Sequence, residues 1–261
     1  MKYGIREICE VVLKAKSNVK IGKNTFTEGM PVIYFDSLKT STMEGAATTV
    51  YAQGGRGNSR LVAWEGERTV TFTMEDALIS EKGLAILTGA GLIDSGEEKF
   101  VPTHVTERCP VNDNVAEGTG TLSEDENAIA YAIKLDKNDE MIGLPEAVEE
   151  LKLTITESEK EVVAVLFDYY TDKSAGKQIN INAKDFAGNY YLEASTLFRD
   201  EDGVDHAAEF IIPNCKIQSN FTFTMAATGD PSTFTFTMDA FPDYTKFDPT
   251  EKVFATIQIV D

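Results

Sequence analysis

Basic residues are scarce in this sequence: 24 lysines and arginines stand against 43 aspartates and glutamates, a formal net charge of −19 over 261 residues. A protein that coats duplex nucleic acid needs a basic face to displace counterions from phosphate, so the balance excludes that role. It also opposes docking on anionic lipid. Cysteine is rare as well. Cys9, Cys109 and Cys215 are odd in number and widely spaced, which excludes a disulfide framework and any CxxC pair and predicts buried thiols in a reducing compartment. No apolar run is long enough to span a bilayer. The opening MKYGIREICEVVLKAK sets charges among its apolar residues, so no secretory h-region is expected and no membrane role is assigned.

What the chain does have is a core. Hydrophobic residues make up 42% and charged residues 26%, enough apolar material for a folded globule and too much for a disordered chain. The charge is uneven. Residues 1–110 hold 13 basic and 14 acidic residues, whereas residues 111–261 hold 11 and 29. Either solubility or repulsion of an anionic partner accounts for that asymmetry.

Short strands dominate the pattern. Pro31–Phe35 is rich in β-branched and aromatic residues, and Val70–Met74 alternates apolar and polar with period two. Val50–Ala52 and Leu61–Trp64 flank a glycine-rich loop, Gly54–Ser59, and Glu65–Glu67 reads as a further turn. One helix is predicted from the apolar positions Ala77–Ile79, Leu84, Ile86 and Leu87, with Ser80 and Glu81 as an internal cap and Gly89 or Gly91 as its stop. Residues 111–130 read as a long polar loop, and Pro145–Glu150 as a helical turn or loop. Leu151–Thr156, Val162–Phe167, Gln178–Asn182, Tyr190–Phe198, Glu209–Ile212, Cys215–Gln218 and Val253–Val260 read as strands. Phe221–Ala226 and Thr233–Ala240 echo Thr69–Ala77, and the turn-forming Thr228–Ser232 between them makes Asn220–Met238 a β-hairpin. A dozen or so strands with one or two helices define a mainly β (α+β) protein.

No residue pattern carries chemistry. His104 and His206 lie in no metal-ligand spacing, there is no GxSxG elbow, and Gly54-Gly55-Arg56-Gly57 lacks the Lys-Ser/Thr ending of a phosphate loop. Asp200–Asp205 places glycine fourth and not sixth, and Asp136–Glu140 has none, so both read as turns and not as calcium loops. No catalytic residue, metal or cofactor is assigned. The Gly-rich loop reads instead as an interaction loop, with Arg56 and Arg60 available to an acidic neighbour.

The run Gly54–Gly66 followed by Thr71–Ser80, with Gly188–Tyr191, Phe198–Gly203, Ile212–Asn214 and Thr228–Phe234, resembles the tail tube proteins of tailed bacteriophages. The resemblance implies a β-sandwich or half-barrel with a flanking helix, whose sheets join those of neighbours into a ring barrel on oligomerisation. It implies a structural role without catalysis: hexameric rings that stack around a channel for the genome, in a virion tail assembled in the host cytoplasm. The implied partners are further copies of the chain, tail proteins such as a sheath (in a contractile tail), baseplate, terminator and tape measure, and DNA that passes without specific binding. Gly54, Gly55, Arg56, Gly57, Asn58 and Arg60 become the expected inter-subunit loop. The expected organisation is a tube core from 1–110 and 181–261, with 111–180 as a decorating insertion. A capsid decoration or tail hub protein and, more remotely, a carbohydrate-binding β-sandwich using Trp64 and the tyrosines are the competing readings.

Overall fold

A computed structural model describes residues 2–5, 7–21, 24–89, 91–94, 100–174, 176–225, 227–228 and 232–260. Among them the strands are β1 (Tyr3–Ile5), β2 (Glu10–Ala15), β3 (Val19–Ile21), β4 (Asn24–Phe26), β5 (Pro31–Phe35), β6 (Leu38–Gly54), β7 (Ser59–Asp76) and β8 (Gly91–Asp94). They continue as β9 (Val101–Pro110), β10 (Val115–Glu117), β11 (Ala130–Leu135), β12 (Glu146–Val148), β13 (Lys152–Thr154), β14 (Ala164–Lys173) and β15 (Lys177–Asn180). The last four are β16 (Asn189–Asp200), β17 (Asp205–Ile217), β18 (Phe234–Ala240) and β19 (Thr256–Val260). Helix α1 is Glu81–Thr88. With 56% of the described residues in strands and 5% helical, the chain is mainly β, as its sequence pattern predicts.

The chain divides into two compact units. One comprises residues 1–92 and 179–261, the other 93–178. The larger unit is built on one antiparallel sheet of nine strands, ordered β5-β2-β16-β17-β18-β7-β6, with β1 added to β16 and β19 added to β17. The sheet is open and is not closed into a barrel in the single chain. Alternation sets its buried face: Val11, Leu13 and Ala15 of β2, Leu192 and Ala194 of β16, and Phe234, Phe236 and Met238 of β18 are buried. Each large apolar side chain withdrawn from water here contributes about 1.5–3 kcal/mol. Helix α1 closes over this face, with Ala85, Ile86 and Leu87 buried beside Phe236 and Ile33. It starts after Ser80, so Ala77–Ile79, expected inside the helix, precede it, while its stop falls at Gly89. The Ser80 hydroxyl accepts from the Gly83 N–H at 2.9 Å, and Gly89 stops the helix at φ 66°.

The predicted strands Glu209–Ile212 and Cys215–Gln218 are one strand, β17. Pro213 causes the apparent break. It lies where the register against β16 shifts between Tyr190 and Leu192, and between the residues of β17 that pair with β19 and those that pair with β18. A proline lacking an N–H is tolerated at such a bulge. All three cysteines are buried, and burial pushes the Cys215 thiol up to about 12.

The smaller unit has its own core, around Cys109, Ala132, Leu151, Val165, Phe167 and Tyr169. A four-stranded sheet ordered β12-β11-β14-β9 carries most of it, beside the pair β10–β13. β9 pairs with β14 from Val101 to Pro110, so that strand lies within this unit. Pro145–Glu150 contains the strand β12, whose Glu146, Ala147 and Val148 face Ala132, Tyr131 and Ala130. The sequence misses it because Pro145 and the run of glutamates mask three residues of edge strand. The smaller unit holds 20 acidic and 8 basic residues, a net charge of −12 within the chain's −19.

Candidate assembly interface

β6 and β7 are 17 and 18 residues long, about three times an ordinary strand. Their proximal parts belong to the sheet, where Phe72, Met74 and Asp76 are buried. The distal part leaves it. From Glu44 to Tyr51 and from Gly55 to Thr69 every residue is exposed, so neither face of this two-stranded arm is covered. Threonine, valine, tyrosine and tryptophan keep the arm extended through β propensity, and its cross-strand pairs supply the rest.

The glycine loop forms the tip of the arm. Gly54 is the last residue of β6 and pairs with Ser59. Gly55, Arg56, Gly57 and Asn58 make the turn, closed by the Asn58 N–H donating to the Gly55 carbonyl at 3.2 Å. Gly55 (φ 80°), Gly57 (φ 92°) and Asn58 (φ 49°) are left-handed, a conformation that these residue types reach at least strain. Arg60 lies in β7 opposite Gln53, its guanidinium over the Tyr51 ring. All six residues expected to form the interaction loop thus sit together at the end of the arm.

The sequence missed the length of the arm. Glu65-Gly66-Glu67 is not a turn but lies inside β7, at a register shift between Ala47 and Thr49 of the opposite strand. Gly66 is needed there because a Cβ would fall 2.5 Å from the Thr48 hydroxyl. The arm also displays Val50, Leu61, Val62 and Trp64, at 60%, 65%, 49% and 55% exposure. Such a run of exposed apolar residues on both strands marks a contact surface.

The acidic turns and histidines have local partners. The Asp200 carboxylate accepts from the N–H groups of Asp202 and Val204, both at 2.9 Å, and lies 3.0 Å from His206 Nε2. These contacts, His206 first, hold its carboxyl below the usual range. Asp136 likewise accepts from Asn138 and Glu140 N–H at 2.8 Å. His104 pairs with Asp168 at 2.5 Å on the surface. Among the described residues no cluster has the make-up of a metal site, and no helix is long and apolar enough to cross a membrane.

An open antiparallel sheet with an uncovered arm is the build of a structural protein whose conspicuous surface is backbone edge and apolar side chain. The chain belongs to the YomU/Tube protein family, whose model matches residues 5–248 and so takes in the arm, helix α1 and the smaller unit. It is a phage tail tube structural protein, a component of the virion tail. No curated protein matches the sequence.

Proposed function

We propose that this chain is the repeating subunit of a tail tube, closing into hexameric rings that stack around a channel for genome passage. The observation that carries this reading is the arm, whose two exposed faces have nothing to pack on in a single chain. An isolated two-stranded ribbon is marginal in water, and copies of the same chain are the partner a tube supplies. The open edges of the nine-stranded sheet support joining of neighbouring sheets within a ring, which removes the edge hazard. The tip at Gly54–Asn58, with Arg56 and Arg60, is assigned to the contact between rings. The protein acts by assembly, without catalysis. It is built in the host cytoplasm and meets tail partners of the sheath, baseplate, terminator and tape-measure kinds.

The charge divides this reading further. Residues 1–92 hold 11 basic and 10 acidic residues, 179–261 hold 5 and 13, and 93–178 carry the net −12. The acids of residues 179–261 are therefore the source proposed for a lumen that repels DNA phosphate. The unit 93–178 is proposed as a decoration outside the tube wall. Electron microscopy of the purified protein tests the reading. Rings or tubes with a central channel are expected, and a protein that stays monomeric at high concentration overturns it.

A further inference from the structure

The hairpin predicted over Asn220–Met238 is only half present, and the missing half leaves a groove. β17 pairs with β18 in a strict register, Cys215 with Ala240, Lys216 with Asp239 and Ile217 with Met238. The Gln218 N–H then donates to the Thr237 carbonyl at 2.8 Å, and the ladder stops. Residues 219–225 run on outside any strand, although Phe221-Thr222-Phe223-Thr224-Met225 alternates as well as any strand in the chain. The turn residues 229–231 lie outside the described residues.

Between this segment and β18 lies a cleft of about 490 Å³, lined among others by Asn220, Thr222, Thr224, Thr233, Thr235 and Thr237. The Thr235 N–H and carbonyl face the same side as the paired Thr237 carbonyl, by the alternation of an antiparallel ladder. Among the described residues they have no backbone partner on that side. Continuing the register by five residues would set Ser219 opposite Phe236, Asn220 opposite Thr235, Phe221 opposite Phe234, Thr222 opposite Thr233 and Phe223 opposite Ser232. The phenylalanines and threonines then fall on opposite faces. Phe221 and Phe223 join buried Phe234 and Phe236, and the threonines line the other side. The rings already point that way. Phe223 meets Phe234 edge-on at 5.0 Å and Phe221 at 5.5 Å, while the Ser232 hydroxyl donates to the Thr224 carbonyl.

We infer that residues 219–224 are a strap that zips in register onto β18, filling this groove, and that docking of a second copy locks it shut. The second clause rests on the tail-tube reading. Fixing six residues at the end of a sheet loses chain entropy nearly as fast as the new ladder gains, so an added packing surface decides the balance. Met225 (90% exposed) and Phe223 (43% exposed) at the free end of the strap give a neighbour apolar surface to cover.

Two measurements test this. In the isolated subunit, Thr222→Cys with Thr233→Cys should oxidise to a disulfide, because directly opposed strand residues fall within bridging distance. Thr222→Cys with Thr235→Cys, two residues out of register, should oxidise at least tenfold more slowly. The native thiols are buried and do not compete. Equal rates, or no bridge at 222/233, overturn the register. In the unmodified protein, amides of 219–224 should exchange freely in the subunit and become at least tenfold more protected in assembled tubes, and unchanged exchange overturns the locking step. Failure to assemble at all would sink the tail-tube reading while leaving the cysteine test of the strap intact.

Discussion

The Arg60 guanidinium carbon stands 4.1 Å from the centre of the Tyr51 ring, across the two strands of the arm. An exposed cation–π contact of this kind contributes about 0.5–1 kcal/mol. Little else holds the arm beyond its ladder, so the contact matters locally and not globally. Tyr51→Ala is expected to leave the melting transition within about 0.5 kcal/mol of the parent, as for other exposed sites. Hydrogen exchange should nevertheless show lost protection across residues 49–65. An equal loss of protection in β2 and β16 would contradict this.

Trp64 is the only tryptophan in the chain and is 55% exposed on the arm. Its fluorescence therefore reports the arm alone. Assembly should shift the emission to the blue as the indole loses water. Trp64→Ala should fold normally but raise the concentration needed for assembly by at least about tenfold, the range of an aromatic anchor at an interface. Sedimentation against concentration measures it.

Gly89 ends α1 in the left-handed conformation, and a Cβ there would lie 2.3 Å from the Phe186 backbone carbon. Strain and collision act together, so Gly89→Ala should destabilise the larger unit by more than about 1 kcal/mol. Gly55→Ala has the strain without the collision, since nothing lies within 4 Å of its added methyl. It should cost less, and paired denaturation curves rank the two.

Acid should weaken the smaller unit through Glu159. The Lys134 ammonium, at 2.6 Å, and then the Thr156 N–H and hydroxyl hold its carboxyl at about 2, below the ordinary 4.5. The folded value lies below the unfolded one. The stabilisation is thus complete above about pH 4.5 and is lost as the pH falls towards 2. Melting of Glu159→Gln should fall short of the parent at pH 6, and the gap should narrow below about pH 4.5 and close only as the pH falls through about 2. A gap that widens in acid would reverse the assignment.

Much of this is legible in the sequence itself. Ser80 and Gly89 both stand out as capping residues because capping is a local matter of one hydroxyl and one left-handed glycine, although the apolar Ala77–Ile79 carry the expected helix past its true start. Alternation in Val70–Met74 and Thr233–Met238 identifies strands because each buries one face. The reading failed where identity and context disagree. Gly66 and Pro213 look like breaks, yet each sits in a register shift that only the opposing strand reveals. The tip residues Gly54–Asn58 and Arg60 were found from their composition. Val50–Ala52 and Leu61–Trp64 beside them were legible too, but the length of the arm was not, because strands exposed on both faces leave no alternation to read.

β8 and β15, the segments by which the chain passes into residues 93–178 and back, pair with each other as a two-stranded sheet. The entrance and exit therefore run through neighbouring strands, whose ordinary spacing is about 4.8 Å. None of the nine strands of the main sheet is drawn from residues 93–178. The junction is in effect a socket: a foreign domain whose termini lie close together could be spliced there without changing a single pairing in the sheet. That makes it the natural place to display cargo on this scaffold.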